Sequence, residues 1–190
     1  AKAACLAELY LGAARNLQNF CHVWLSYGIG GAAVVNLRPY LGRNNLAAEW
    51  GGLFPKSGPR PSGQDLLDTL RDHGIPLNRL SDVEPAHLDL PVVRDWTDRA
   101  TEQLRWLSLV IARTFAPEAI VLGGTLHGQL LDHFIRELSS GTPLGEDFHV
   151  SPPQILRASH DHLPQLGAAA LPMQDMMNPS VSSDQARKGW

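Results

Sequence analysis

Cysteine, clustered positive charge and long apolar runs are scarce in this 190-residue chain, and each scarcity excludes a class of protein. Two cysteines, Cys5 and Cys21, are too few for a disulfide scaffold. They favour reduced thiols in a core, with a disulfide as the alternative. Sixteen Lys and Arg against 19 Asp and Glu give a net charge of −3 without a basic cluster. These residues therefore offer no nucleic-acid surface of their own.

Membrane and secretion signals are also missing. No apolar run approaches the roughly 18 residues of a membrane span, and no basic segment leads into an apolar run with a cleavage site, as in a signal peptide. We therefore expect no membrane partner and a cytoplasmic location. The chain begins without Met, in what looks like the middle of a helix, and this predicts a fragment of a longer protein.

Several catalytic and metal signatures are absent as well. The chain has no Cys-x-x-Cys, no His-Glu-x-x-His and no Gly-x-Ser-x-Gly nucleophile elbow. Its eight histidines do not cluster at ligand spacing, and His160 and His162 have no Cys or carboxylate set around them. We expect no metal site. Charged residues are only 18% of the chain, against a typical share of about 25%. This low share argues against disorder. It also suggests that part of the surface is buried against another piece of the chain or a second subunit.

Apolar spacing and turn residues predict an α/β architecture with mixed strand directions. We expect a helix over 1–16 and a glycine hairpin between strands at 20–27 and 32–37, then a short strand near Tyr40. Ser62 is a suitable N-cap for a helix over 64–73, with Gly74 at its end. Later elements are predicted as an irregular segment over 74–92 with at most one short helix, a helix over 95–115, a strand over 119–122, a helix over 126–139, a strand within 149–156 and a helix over 163–176.

Two glycine segments are candidate anion sites. Gly28, Gly30 and Gly31 form a turn between two strands, where glycine permits positive φ and backbone N–H groups can face a phosphate. A plain hairpin turn is the alternative. Gly123 and Gly124 end a hydrophobic strand just before a helix, whose N-terminus favours a phosphate or another polar group. A simple strand-to-helix turn explains this segment equally well.

A third segment carries one carboxylate among apolar and glycine residues. Glu49 lies in the run Ala47-Ala48-Glu49-Trp50-Gly51-Gly52. A carboxylate in such a setting is suited to accept hydrogen bonds from sugar hydroxyls. The alternative is a solvent-facing glutamate on a turn.

Taken in order, these segments resemble the ROK family of bacterial sugar kinases and sugar-responsive repressors. Residues 1–8 are similar to the helix that follows the family's Asn-Asp pair, and Cys21 to Asn36 to its strand–Gly-x-Gly–strand segment. Leu41 to Gly52 is similar to the "AGE-x-GH" segment. Pro117 to Gly124 resembles the "P-x-x-I-V-x-GG" turn, and Leu166 to Ala170 the closing "GAA" helix.

The resemblance implies the C-terminal lobe of an actin-like, ribonuclease-H-like ATPase, a mixed sheet with flanking helices over residues 1–178, followed by a disordered tail over 179–190. It assigns Glu49 to sugar and, where nucleotide binding is retained, Gly28, Gly30, Gly31, Gly123 and Gly124 to phosphate. The family's catalytic Asp would precede Ala1, so no catalytic residue is expected in this chain. A kinase parent would need ATP and Mg²⁺.

Departures from the family pattern are also informative. Tyr27 stands where kinases carry a Thr, and Gly52 where they carry a His that binds zinc. Phe54 to Gln64 replaces the Cys-rich zinc loop, so the resemblance implies that the zinc site is lost. We therefore expect a sugar- or sugar-phosphate-sensing, dimerising lobe of a regulator, similar to the N-acetylglucosamine and xylose repressors. DNA binding would come from a separate helix-turn-helix domain. The alternatives are a sugar-kinase lobe and a degenerate oligomerisation lobe.

Overall fold

The computed structural model describes residues 1–140 and 152–159. Within them the strands are β1 (Phe20–Leu25), β2 (Ile29–Val35), β3 (Arg38–Pro39), β4 (Ala119–Gly124) and β5 (Gln154–Arg157). The helices are α1 (Lys2–Leu11), α2 (Gly63–Asp72), α3 (Pro85–Leu88), α4 (Pro91–Phe115) and α5 (Gly128–Ser140). The predicted "GAA" helix, the tail over 179–190 and the pair His160 and His162 lie outside the described residues.

The strands form one five-stranded sheet in the order β3-β2-β1-β4-β5. The central strand β1 is antiparallel to β2 and parallel to β4. β4 is also parallel to β5, while β2 and β3 form an antiparallel hairpin. The predicted mixed sheet with flanking helices is therefore confirmed. Among the described helices, none combines the length and the hydropathy of a membrane span.

Side chains alternate between the two faces of β1 because successive residues of a strand point in opposite directions. Cys21, Val23 and Leu25 belong to the larger core cluster, which also contains residues of α2, α4 and α5. Phe20 and Trp24 belong to a second cluster with α1. The two cysteines are buried free thiols, as expected. Burial raises the pKa of Cys21 to about 12 and also raises that of Cys5.

Helix α1 ends at Leu11, so the expectation that it extends to residue 16 is wrong. Gly12 takes an extended conformation, and the buried Glu8 carboxylate lies against it and accepts the N–H of Ala13 at 2.6 Å. A β-carbon at position 12 would lie 2.0 Å from Glu8 Oε2. The side chain of Glu8 thus satisfies a backbone donor that further helix would otherwise have used.

The edge hairpin also differs from the expectation. Strand β2 ends at Val35, and Asn36 and Leu37 have φ values of 52° and 62°. Two consecutive left-handed residues are the geometry of a tight two-residue hairpin turn. The turn pairs Arg38 and Pro39 with the end of β2, so the short strand lies just before Tyr40 and not around it.

The helices on the other face follow their capping residues. Ser62 Oγ accepts the N–H of Asp65 at the start of α2, as predicted, and Gly74 follows the helix in a left-handed conformation. Helix α4 begins at Pro91, four residues before the predicted start, because proline is favoured in the first turn of a helix. The segment 74–92, expected to be irregular with at most one short helix, holds the short helix α3.

Candidate functional site

The carboxyl ends of β1 and β4 lie side by side. Leu25 and Gly124 are paired in the parallel register, and the N–H of Thr125 donates to Leu25 O at 2.8 Å. The hydroxyls of Ser26 and Thr125 are 2.8 Å apart. The two glycine segments, which are distant in the sequence, therefore lie at the same end of the sheet on either side of β1, where Trp24 is paired with Gly30 and with Gly123. In open α/β sheets, ligands bind outside the carboxyl ends of the strands.

Within this edge, the β1–β2 turn does not need left-handed glycine. None of Gly28, Gly30 and Gly31 has a positive φ, so that part of the expectation is wrong. Gly28 is open, because a β-carbon built there would meet nothing within 4 Å. At Gly30 a β-carbon would lie 2.8 Å from Ala1 Cβ. This glycine therefore lets the start of α1 approach the sheet closely.

Gly31 is covered by the indole of Trp50. A β-carbon at position 31 would lie 2.0 Å from Trp50 Cδ1 and 2.3 Å from Ala48 O. Trp50 is buried, and its Nε1–H donates to His22 O on β1 at 2.9 Å. The glycine thus makes room for the loop that carries Glu49.

Gly123 and Gly124 are also tightly surrounded by protein atoms. A β-carbon at Gly123 would lie 2.5 Å from Ala158 Cβ and 3.5 Å from the ring of Trp24. Gly124 has a φ of 150°, and a β-carbon there would lie 1.7 Å from Leu25 O. Such a φ is essentially restricted to glycine. Close packing of β4 on β1 and on the segment after β5 accounts for both residues.

Glu49 is exposed at the tip of the loop between β3 and α2. Its Oε1 accepts from Lys2 Nζ at 2.9 Å, and the same ammonium group donates to Asn45 O. Exposed ion pairs contribute about 0–1 kcal/mol, so a ligand can displace this pair at little cost. The preceding residue, Ala48, has a φ of 60°, a left-handed conformation that costs a non-glycine residue roughly 1–2 kcal/mol. Backbone strain beside an exposed carboxylate is typical of a functional loop.

A cavity of about 320 Å³ lies beside this ion pair, between α1 and the β2–β3 hairpin. Its wall is mostly apolar, and Lys2 and Asn45 supply polar groups at the rim. This combination of an apolar wall with a few convergent polar groups is typical of small-molecule sites. Lys2 could not be predicted as a site residue from the sequence, because no local pattern connects it to a carboxylate 47 residues away.

A buried histidine lies under the start of α1. His22 is fully buried on β1, its ring centroid is 5.7 Å from that of Trp24, and neither ring nitrogen has a hydrogen-bond partner in the described part of the chain. Burial lowers the pKa of His22 to about 3. The imidazole is therefore neutral in the folded protein at ordinary pH.

We expect His22→Leu to remove a pH dependence of stability. Between pH 6.5 and about 3 the unfolded chain binds a proton on His22 that the folded chain does not, so stability falls as pH falls. The free-energy gap between variant and wild type should widen by about 1.6 kcal/mol between pH 6.5 and pH 5. Urea unfolding at both pH values measures it. The exposed His73, changed to Gln, is the control, and an equal gap at both pH values would contradict the prediction.

The residues present do not fit the zinc site that is typical of the family. The loop from Phe54 to Gln64 contains no Cys, His, Asp or Glu. In the described ranges, no three such side chains come together as a metal site would require. Trp50 and Phe54, which flank the Glu49 loop, instead pack edge-on against Phe115 and Trp106 of α4. Aromatic packing therefore holds this loop.

Comparison with known proteins confirms the resemblance stated above. Residues 1–65 match the model of the ROK family. A protein described as uncharacterized, y4fQ of Sinorhizobium fredii, is 38% identical over 122 residues, which are 64% of this chain and 31% of that protein. The match includes the β1–β2 glycine turn and the Glu49 segment, because both lie within residues 1–65.

Solved structures confirm the actin-like ATPase fold. The ROK hexokinase from Thermus thermophilus has a TM-score of 0.69 and 24% identity, covering 92% of this chain and 64% of its own. A ROK glucokinase from Streptomyces griseus in complex with glucose and AMPPNP has a TM-score of 0.67 and 22% identity, with coverages of 92% and 66%. A ROK transcriptional regulator, a homolog of the E. coli MLC protein, has a TM-score of 0.63 and 20% identity, with coverages of 91% and 50%.

These relatives include kinases and a regulator, so the fold is common to both functions. The chain spans 31% of its curated relative and 64% of the hexokinase.

Proposed function

We propose, from the premise that residues 1–65 are a ROK family segment on a ROK fold, that this chain is the sugar-sensing and dimerisation lobe of a transcriptional regulator. In this proposal the protein works in the cytoplasm, and a separate helix-turn-helix domain contacts DNA. Sugar binding would shift the population between dimers that bind DNA and dimers that do not, through unequal contacts in the two states.

The proposal rests on one observation, namely that side chains of the protein itself pack over the glycines. In a phosphate site, glycine leaves space for the ligand to approach the backbone. Here Trp50 covers Gly31, while Trp24 and Ala158 cover Gly123. The space that these glycines leave is used by the chain's own side chains. This favours a lobe that does not need ATP and Mg²⁺.

Glu49 is the group proposed to contact the sugar. Its side chain is 53% exposed and is paired with Lys2, which lines the 320 Å³ cavity. A carboxylate that accepts hydrogen bonds from two sugar hydroxyls contributes charge-assisted hydrogen bonds to sugar binding. Dimerisation is assigned to an exposed apolar surface that includes Leu53 and Trp106, of which 42% and 45% are exposed.

A kinase lobe is the second candidate, because one observation favours it. The two glycine segments lie on either side of β1 at the same end of the sheet, and a β-carbon at Gly28 would meet no other atom within 4 Å. A solved glucokinase with this fold is complexed with glucose and AMPPNP. A lobe kept only for oligomerisation is the third candidate, and it predicts no sugar site.

We expect Glu49→Gln to lower sugar affinity about 10- to 100-fold, because a hydrogen bond to a charged group contributes about 1.5–3 kcal/mol. Stability should change by less than about 1 kcal/mol, because the ion pair with Lys2 is exposed. Isothermal titration with a panel of hexoses and pentoses measures the affinity, and urea unfolding measures the stability.

Glu102→Gln is the matched control, since Glu102 is an exposed glutamate in an ion pair on α4. Unchanged sugar affinity in Glu49→Gln would overturn the assignment of Glu49. Saturable binding of ATP with Mg²⁺ by the wild-type protein would support the kinase candidate, since a kinase lobe without the catalytic Asp would still bind nucleotide. Failure of the wild type to bind any sugar would support the oligomerisation candidate.

A further inference from the structure

Exposed apolar side chains are concentrated at the β2–β3 edge of the sheet. Among the described residues, nine large hydrophobic side chains are exposed, and five of them lie within residues 35–46. These five occupy the end of β2, the β2–β3 turn and the loop after β3, and we call them the hairpin surface: Val35, Leu37, Tyr40, Leu41 and Leu46. Leu46 is 64% exposed and Tyr40 52%. Folding gains little from side chains that stay in water, and clusters of exposed apolar residues mark interaction sites.

The hairpin surface borders the apolar cavity of about 320 Å³. Tyr40 and Leu41 line this cavity on one side, and residues of α1 line it on the other. Ala32 and Ala33 of β2 also line it, and their small side chains leave the space open. Glu49 is not a lining residue, so a sugar bound to Glu49 need not occupy the cavity. An apolar pocket among exposed apolar residues suits an apolar side chain of a partner protein, as at interface hot spots.

The loop after β3 has a defined shape without a partner. The N–H of Ala47 donates to Leu41 O at 3.0 Å and closes the loop. Asn44 and Asn45 have left-handed φ values of 55° and 59°, which asparagine tolerates. The ring of Tyr40 packs edge-on against the last aromatic ring of α4, with 6.2 Å between the ring centroids. A surface that is already ordered loses less conformational entropy when a partner binds.

The charge at this edge is of one sign. No Asp or Glu occurs between Glu8 and Glu49, and the forty residues between them contain three arginines. Two of these, Arg38 and Arg43, lie next to the apolar residues of the hairpin surface in the chain. Within residues 1–140 and 152–159 neither of them forms an ion pair. The chain as a whole carries −3, so the positive charge here is local and complements an acidic partner.

Other occupants fit this surface less well. Two copies of the chain that met through the same surface would bring the same arginines together. DNA and anionic membranes are bound through larger groups of cations, about four to eight at a membrane surface, whereas this surface contributes two. An added β-strand is disfavoured because β3 has two residues and Pro39 has no N–H to donate.

We propose that the hairpin surface docks a short segment of another protein that presents apolar side chains flanked by Asp or Glu. An apolar side chain of that segment enters the cavity beside Tyr40 and Leu41, Leu46 packs against its neighbours, and its carboxylates pair with Arg38 and Arg43. Tyrosine and arginine are enriched at the centres of protein interfaces. The proposal is independent of the proposed function, because a regulator lobe and a kinase lobe would present the same surface.

The test is a selection of random short peptides, displayed on phage, against the wild-type chain. Fluorescence anisotropy then measures the affinity of the enriched peptides. We expect these peptides to combine aromatic or aliphatic residues with Asp or Glu. Leu46→Ser and Arg43→Glu should each weaken their binding about tenfold. Replacing the acidic residues of a peptide by Lys should remove saturable binding, and amide NMR should place the largest shifts at Ala33, Tyr40 and Leu41.

Two matched controls separate the hairpin surface from exposure and charge in general. Tyr40→Ser should also weaken peptide binding, and Tyr27→Ser is its control, because Tyr27 is 46% exposed and lies in the turn at the other end of β2. Arg94→Glu, which reverses the charge of an exposed arginine on α4, is the control for Arg43→Glu. Both control variants should bind the peptides as tightly as the wild type does. Circular dichroism checks that every variant is folded.

Failure to enrich any peptide, or equal peptide affinity in wild type, Leu46→Ser and Arg43→Glu, would overturn the proposal. Binding of the wild type to vesicles of anionic lipid that is lost in Leu46→Ser would identify a membrane surface instead. A change of oligomeric state in Leu46→Ser, measured by analytical ultracentrifugation, would identify a contact between two copies of the chain. Glu49-dependent sugar binding should persist in Leu46→Ser, so failure of the docking surface and failure of the proposed function are distinguishable.

Discussion

Replacing Trp50 by alanine is expected to lower the free energy of unfolding by about 3–5 kcal/mol, the usual cost of truncating a buried aromatic side chain. Only 5% of Trp50 is exposed. The substitution removes its edge-to-face contact with Phe115 and its hydrogen bond to His22 O, and it leaves a cavity over Gly31. Urea or thermal unfolding followed by circular dichroism measures the loss.

The same substitution should impair ligand binding. Trp50 directly follows Glu49 and is the residue that attaches the loop to β1. Without it the Glu49 carboxylate is no longer held at one place beside Lys2, so we expect sugar affinity to fall at least as far as in Glu49→Gln. Affinity should be measured well below the unfolding transition, where the variant is still folded.

Trp106→Ala is the matched control for this prediction. Trp106 is also a tryptophan in an edge-on aromatic pair, with Phe54, but 45% of it is exposed. We expect Trp106→Ala to lower the free energy of unfolding by about 1 kcal/mol, because folding removes less apolar area of Trp106 than of Trp50 from water. Equal losses in the two variants would contradict the assignment of Trp50 as the anchor of the Glu49 loop.

Replacing Gly124 by alanine is expected to lower the free energy of unfolding by about 4 kcal/mol or more, a loss that marks a change at a specially constrained position. The added methyl group would lie 1.7 Å from Leu25 O, and φ is 150°. Neither strand can move away easily, because β1 and β4 are paired along their whole length in the centre of the sheet. Chemical unfolding, or the soluble yield where the variant fails to fold, measures the effect.

Gly28→Ala is the control for Gly124→Ala. A β-carbon at Gly28 meets nothing within 4 Å, and its φ lies outside the left-handed region. We expect a change in stability of less than about 1 kcal/mol. If Gly124→Ala were equally mild, the close approach of β4 to β1 would not be the reason for glycine at this position.

Local patterns in the sequence predicted most of the elements. The helix predicted over 95–115 is α4, and Leu104, Leu107 and Ile111, which are at helical spacing, are all buried in the core. Ser62 caps α2 as its residue type predicts. Boundaries were wrong where a specific side-chain contact or turn geometry, and not helix or strand propensity, ended the element. Glu8 ends α1 by taking the N–H of Ala13, and no helix propensity contains that information.

The candidate site was only partly predictable. The sequence identified Glu49 and both glycine segments by residue type and by order along the chain. It did not indicate that Lys2 pairs with Glu49, or that Trp50 and Trp24 cover the glycines.

By itself, the sequence determined which segments are helix, strand and turn, and it determined the resemblance to the ROK family. Both depend on spacing and residue type over short stretches. Only the tertiary structure decided which close contact requires glycine at each position and which charged side chains are neighbours. The parallel pairing of β1 with β4 joins residues about a hundred positions apart, as the contact between Ser26 and Thr125 does. Such contacts depend on the order of strands in the sheet and on the paths of loops, which no local pattern encodes.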